Sequence, residues 1–153
     1  MKLLLETGKA DVDARDEGGW TALSWAAISG YEGVVKLLLK TGKVDVDAQD
    51  VYGQTPLFRA AKDDREGVVK LLLETGKADV NVRDNDGLTP LSWAAMSGYE
   101  GVVKLLLKTG KVDVNAQDEY GQIPLFRAAR NGHKGVVKLL LESDNVSKII
   151  NRI

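Results

Sequence analysis

The chain has 153 residues, 44% of them apolar, and carries 21 Lys and Arg against 22 Asp and Glu. A net charge of −1 leaves no large field to draw it to nucleic acid or to an anionic membrane. With no cysteine and a single histidine, disulfide frameworks, thiolate chemistry, zinc sites and histidine-based triads lack their materials.

Leucine triplets at 3–5, 37–39, 71–73, 105–107 and 139–141 recur every 34 residues. A fixed period in this range marks a stacked array, not one globule around one active site. Residues 1–15 read as the second half of a unit, because Met1 falls where the other units have valine. The chain thus reads as a piece of a longer array or as a reading frame that starts late, with a frayed N-terminal end. Units follow at 16–49, 50–83, 84–117 and 118–144. In the third, Asp84-Asn85-Asp86-Gly87 forms a turn. Thr89-Pro90 then caps and starts a short helix with Leu91, Ala94 and Ala95 on its packing face. Ser97-Gly98 breaks it, and Val102 to Leu107 give a second helix that is apolar around most of its surface. Such a helix is buried on two sides, and only neighbouring units can bury it. At the C-terminal end Val146, Ile149, Ile150 and Ile153 form one apolar stripe. This predicts a capping helix over 145–153, an end that solenoids need; the alternative is an amphipathic docking segment. The triplets are far too short to cross a bilayer and no signal peptide is visible. A cytoplasmic monomer is expected.

The unit resembles the ankyrin repeat. The phrases that carry the likeness are Gly87-x-Thr89-Pro90-Leu91-x-x-Ala94-Ala95, Gly98, Val102-Val103-x-Leu105-Leu106 and Asp113-Val114-Asn115-Ala116. The resemblance implies an all-α solenoid, 1–153, of stacked helix-turn-helix units with β-turn fingers. It also implies non-catalytic binding of a protein or peptide along a concave groove. The Thr-Pro-Leu-Ser-Trp-Ala-Ala and Pro-Leu-Phe-Arg-Ala-Ala phrases look similar to arrays of fungal NACHT-ankyrin receptor proteins, where they serve as recognition regions. An engineered or consensus-like scaffold, or a passive spacer, is the alternative. The units depart from the family in four ways. The lysine after glycine (Lys9, Lys43, Lys77, Lys111) reads as an insertion. Ser24, Phe58, Ser92 and Phe126 stand where the family has histidine. Ile123 replaces the capping threonine, and Asp64 the glycine between the helices.

A second beat overlies the first. Residues 2–67 match residues 70–135 at 51 of 66 positions. Ser24-Trp25 and Ser92-Trp93 alternate with Phe58-Arg59 and Phe126-Arg127. Of the 15 differences, seven fall on the 12 positions expected at finger tips and the exposed edge of the first helix. Exposed Lys36, Lys40, Lys43, Glu32 and Glu6 are unchanged, so the variation favours a binding face over drift. Trp25, Arg59, Trp93 and Arg127 are candidates because tryptophan and arginine dominate binding hot spots; mutual cation–π stacking is the structural reading. Finger-tip Trp20, Tyr52 and Tyr120, with Leu88 equivalent to Trp20, form a second set, against packing on a neighbouring finger. Ile28 and Met96 complete the apolar part of the groove, and Lys62, Asp63, Arg130 and Asn131 make its other pair of units polar. Glu6, Lys40, Glu74, Lys108 and Glu142 occupy one position on successive second helices and are expected to pair down the stack as a solvated ladder. His133 reads as structural. Asp45-x-Asp47-x-x-Asp50 and Asp11-x-Asp13-x-x-Asp16 read as turns and not as calcium loops, for want of a closing glutamate. No cofactor, metal, nucleic acid or membrane is expected.

Overall fold

The computed structural model describes residues 10–152, with side chains for residues 10–143. The expected half repeat therefore lies largely outside the described residues, as do Glu6 and Lys9. Among the described residues there are eight helices and no strand: α1 (Ala22–Ser29), α2 (Glu32–Lys40), α3 (Pro56–Lys62), α4 (Glu66–Glu74), α5 (Pro90–Ser97), α6 (Glu100–Lys108), α7 (Pro124–Arg130) and α8 (Lys134–Arg152). First helices (α1, α3, α5, α7) pack on one another in a row, as do second helices (α2, α4, α6, α8). The result is the expected all-α stack of helix pairs.

Local chemistry starts each first helix. The hydroxyls of Thr21, Thr55 and Thr89 accept the backbone N–H of Ser24, Phe58 and Ser92. Ile123 offers no such bond to α7. Gly30 and Gly98 end α1 and α5 in the left-handed conformation. Asp64 occupies the equivalent position with φ 58°, as its place in the repeat predicts.

One apolar core runs from Leu23 to Leu140 through the alanines of the first helices and the Val-Val and middle-leucine positions of the second. Small alanines let the first helices approach closely, and the second helices fill the layer behind. The apolar stripe near the C-terminus predicts a separate cap over 145–153. Residues 145–152 instead continue α8 without a break, because nothing between Leu141 and Arg152 stops a helix: no glycine or proline stands there. Which surface their side chains and Ile153 cover lies outside the described residues.

Candidate functional site

The fingers and first helices share one side of the stack, and an aspartate ties them together in every unit. The backbone N–H of Asp16, Asp50, Asp84 and Asp118 donates to the carbonyl four residues on, closing a hairpin turn. One oxygen of the same aspartate accepts the N–H groups two and four residues on, such as those of Tyr52 and Gln54 at Asp50. Successive fingers are bonded edge to edge. Val51 N–H donates to the Gly18 carbonyl, Asn85 N–H to that of Tyr52, and Glu119 N–H to that of Asp86.

The second oxygen of each aspartate reaches the alternating Trp/Arg position nine residues later. Trp25 Nε1 donates to Asp16 at 3.0 Å and Trp93 Nε1 to Asp84 at 3.4 Å. Arg59 donates twice to Asp50, from Nε at 3.0 Å and from a terminal nitrogen at 2.7 Å. Arg127 repeats that fork on Asp118. Tryptophan and arginine alternate here because both carry an N–H that this carboxylate can hold. The spacing of nine from an aspartate was the signal, and composition alone did not reveal it. The bonds act on acidity. The Trp20 backbone N–H and the Trp25 indole N–H hold the Asp16 carboxyl below its usual value. At Asp118 burial pushes the carboxyl up, but hydrogen bonds from Arg127, Gln122 and Tyr120 outweigh it, and the net shift is downward.

The aromatic candidates converge in the first block. The rings of Trp20 and Trp25 lie 4.4 Å apart. The Arg59 guanidinium sits 4.2 Å over Trp20 and 5.8 Å from the Tyr52 ring. The cation–π contact expected between neighbouring Trp and Arg thus falls on the finger tryptophan. Further along, Lys62 Nζ lies 4.4 Å over Trp93. Trp25 is 53% exposed, Tyr52 59% and Tyr120 73%. Ile28 and Met96 are half-buried at the edge of the first helices, Lys62 and Arg127 are half-buried, and Asp63 and Arg130 are exposed.

Two candidates sit elsewhere than expected. Leu88 is 7% exposed and packs with Phe58 and Val82 in a small core of its own, so it is not a finger-tip contact. A leucine fits beneath Phe58, whereas the larger Trp20 remains half-buried beside Arg59. Arg59 itself is buried, its charge matched by Asp50; it holds the aromatic cluster from below.

Other expectations resolve locally. His133 Nε2 is 2.9 Å from the Met96 carbonyl and its ring covers Gly98. Arg65 does the same one block earlier, with Nε donating to the Ile28 carbonyl. Asp11 and Asp45 accept the backbone N–H groups of Asp13 and Asp47 two residues on, the turn role expected of them, while Asp13 and Asp47 accept the N–H groups of Asp45 and Asp79 in the next unit. Among the described residues, Lys40, Glu74, Lys108 and Glu142 of the expected charge ladder form no ion pair within 4.0 Å. Among the described residues the ion pairs within 4.0 Å are Arg59–Asp50 and Arg127–Asp118. Glu74 and Lys108 line one shallow groove without touching, since long solvated side chains gain little by pairing. No helix among the described residues is long and apolar enough to cross a membrane.

Comparison with curated proteins returns no match. The family model for ankyrin repeats (3 copies) matches residues 1–84 and 76–151. Nearly the whole sequence is covered, in a stack whose helix pairs and linked fingers have just been described: the chain belongs to the ankyrin-repeat family.

Proposed function

We propose that this protein binds a protein or extended peptide along its finger and first-helix side, without catalysis. Ankyrin repeats are in general protein-interaction modules. The observation that carries the finer reading is a set of exposed aromatics, Tyr52 and Tyr120 on fingers already bonded edge to edge and Trp25 on the adjoining first helix α1. Trp25 is further fixed by Asp16 and by stacking on Trp20. Side chains held in place before contact lose little entropy on binding, so more of the contact energy reaches affinity. Trp93, Arg127, Lys62, Asp63, Arg130, Ile28 and Met96 extend the surface as contributors to complementarity. The likeness of its phrases to fungal NACHT-ankyrin arrays supports a recognition role.

The near-identity of the two blocks, 51 of 66 positions, favours a second reading: an engineered or consensus-like scaffold, or a spacer, with no native partner. Peptides selected from a random displayed library on the intact protein separate the surfaces. Tyr52→Ala and Trp25→Ala are each expected to weaken a recovered peptide about 30-fold, equivalent to about 2 kcal/mol at a hot spot; Tyr52→Ala leaves the melting temperature unchanged, while Trp25→Ala lowers it modestly through the lost Asp16 bond and Trp20 stacking. Lys70→Ala, on the second-helix side, leaves binding intact. Binders lost with Lys70→Ala and indifferent to Tyr52 and Trp25 move the surface to the other side. A binder that ignores every position differing between the blocks favours the scaffold.

A further inference from the structure

The two pairs of fingers are built alike but not charged alike. Val51 N–H donates to the Gly18 carbonyl, and Glu119 N–H to the Asp86 carbonyl. These bonds set Val51 beside Gly18 in the first pair and, 68 residues on, Glu119 beside Asp86 in the second. A tyrosine follows in both, Tyr52 and Tyr120. Tyr52 has a finger on either side and is still 59% exposed, so an open ring belongs to this position of the repeat. The surroundings of the two rings differ. Val51 is exposed and apolar, and Gly18 has no side chain. Asp86 and Glu119 are exposed carboxylates, and neither forms an ion pair among the described residues. Glu119, by hydrogen bonding and by charge, and Asp86, by charge, push the Tyr120 hydroxyl above its ordinary value. The Arg127 guanidinium is taken up by Asp118. Glu17 precedes Gly18 on the first finger, and neutral Asn85 takes its place in the second pair. Other rings on this side already carry cations: Arg59 lies over Trp20 and near Tyr52, and Lys62 over Trp93. Among the described residues no cation lies over Tyr120.

We propose that the partner is an extended segment that sets an apolar side chain over Tyr52 and Val51 and a lysine or arginine over Tyr120, between Asp86 and Glu119. Such a partner rests on the finger and first-helix side being the binding surface. A cation at Tyr120 gains the face of the ring and two carboxylates that no described residue offsets. An apolar group at Tyr52 packs on Val51, and neither Val51 nor Gly18 is a charge to be stripped of water. Helices packed about 8–10 Å apart put the two tyrosines, two units from each other, about 16–20 Å apart. An extended chain covers about 3.3 Å per residue, so the apolar and basic side chains stand about six residues apart. Positions 18 and 51 differ between the blocks, while the tyrosine is kept in both. The ring is the shared anchor, and its neighbours set what it takes.

Peptides selected from a random displayed library on the intact protein test this. They are expected to carry a large apolar residue and a lysine or arginine about six positions apart. Asp86→Asn combined with Glu119→Gln keeps the size of both exposed side chains and so leaves the melting temperature unchanged. The pair is expected to weaken such a peptide about ten-fold at about 0.1 M salt, and far less at about 1 M, where the screening length falls to about 3 Å. The loss disappears when the cation of the peptide is replaced by glutamine. Peptides that need Tyr52 but carry no cation at that distance, peptides that ignore the double variant, or acidic peptides overturn this partner and leave the binding surface standing. Peptides lost with Lys70→Ala and indifferent to Tyr52 and Trp25 overturn the surface, and this partner with it.

Discussion

Asp64 is held at φ 58°, a conformation that costs a side-chain-bearing residue on the order of 1 kcal/mol. Gly30, Gly98 and Gly132 fill the same place without that cost. Asp64→Gly is therefore expected to raise stability by about 0.5–1 kcal/mol, read as a higher denaturant midpoint at constant slope; a lower midpoint contradicts it. Ile123→Thr restores the hydroxyl cap that Thr21, Thr55 and Thr89 provide, and is expected to add about 1 kcal/mol. Both positions were legible in the sequence, because in a repeat each departure stands against three copies of the rule. Leu88 was not. Its equivalence to Trp20 placed it at a finger tip, but equivalence fixes the backbone and not the neighbour, and the neighbour here is Phe58. The aspartate anchors were missed for a similar reason, since they join two motifs that sequence phrases treat as separate.

None of the second helices α2, α4 and α6 has a side-chain cap of its own. Each instead carries a glutamate at its first position and a glycine at its second. A Cβ on Gly67, Gly101 or Gly135 would overlap the carboxylate of Glu32, Glu66 or Glu100 from the preceding unit. The glutamate of one second helix thus lies over the first turn of the next, where a negative charge is stabilised by the helix dipole. Gly33 faces open space, and a methyl group there would meet nothing within 4 Å. Gly33→Ala is accordingly expected to stabilise by up to about 1 kcal/mol through helix propensity. Gly101→Ala gains less, because its methyl evicts Glu66 and forfeits about 0.3–1 kcal/mol of charge–dipole energy. Equal gains in thermal denaturation would show that the glutamates contribute nothing. The repeat phrases announced both helices of each pair, but a Glu-Gly pair on one helix does not say that the glycine serves the previous unit's glutamate. Nor could an apolar stripe at 146–153 show whether a new helix begins there or α8 continues.

Along the whole molecule a second ladder runs from unit to unit through the segments that precede the fingers. Asp13 accepts the Asp45 N–H, Asp47 the Asp79 N–H, and Asn81 the Asp113 N–H. The first two rungs are carboxylates and the third is an amide, so charge accumulates in the first half of the stack. Burial, with the nearby charges of Asp79 and Asp45, pushes the Asp47 carboxyl above its usual value, although the Asp79 N–H pulls the other way. A carboxyl raised on folding binds its proton more tightly in the native state. Its contribution therefore falls as pH rises from the unfolded value near 3.8 through the raised native value, and stays low above it. Asp16 and Asp118 act oppositely: their lowered carboxyls stabilise the fold above the unfolded value, and that support is lost as pH falls through their native values. Asp47→Asn keeps an oxygen for the Asp79 N–H, as Asn81 does for Asp113 at 2.8 Å, and removes the charge. It is expected to stabilise the protein at pH 7 and to lose that advantage at pH 3, where wild-type Asp47 is itself protonated. Urea unfolding at both pH values measures the difference. A gain of the same size at both would assign the effect to packing, and no gain at pH 7 would show that the rung tolerates its charge.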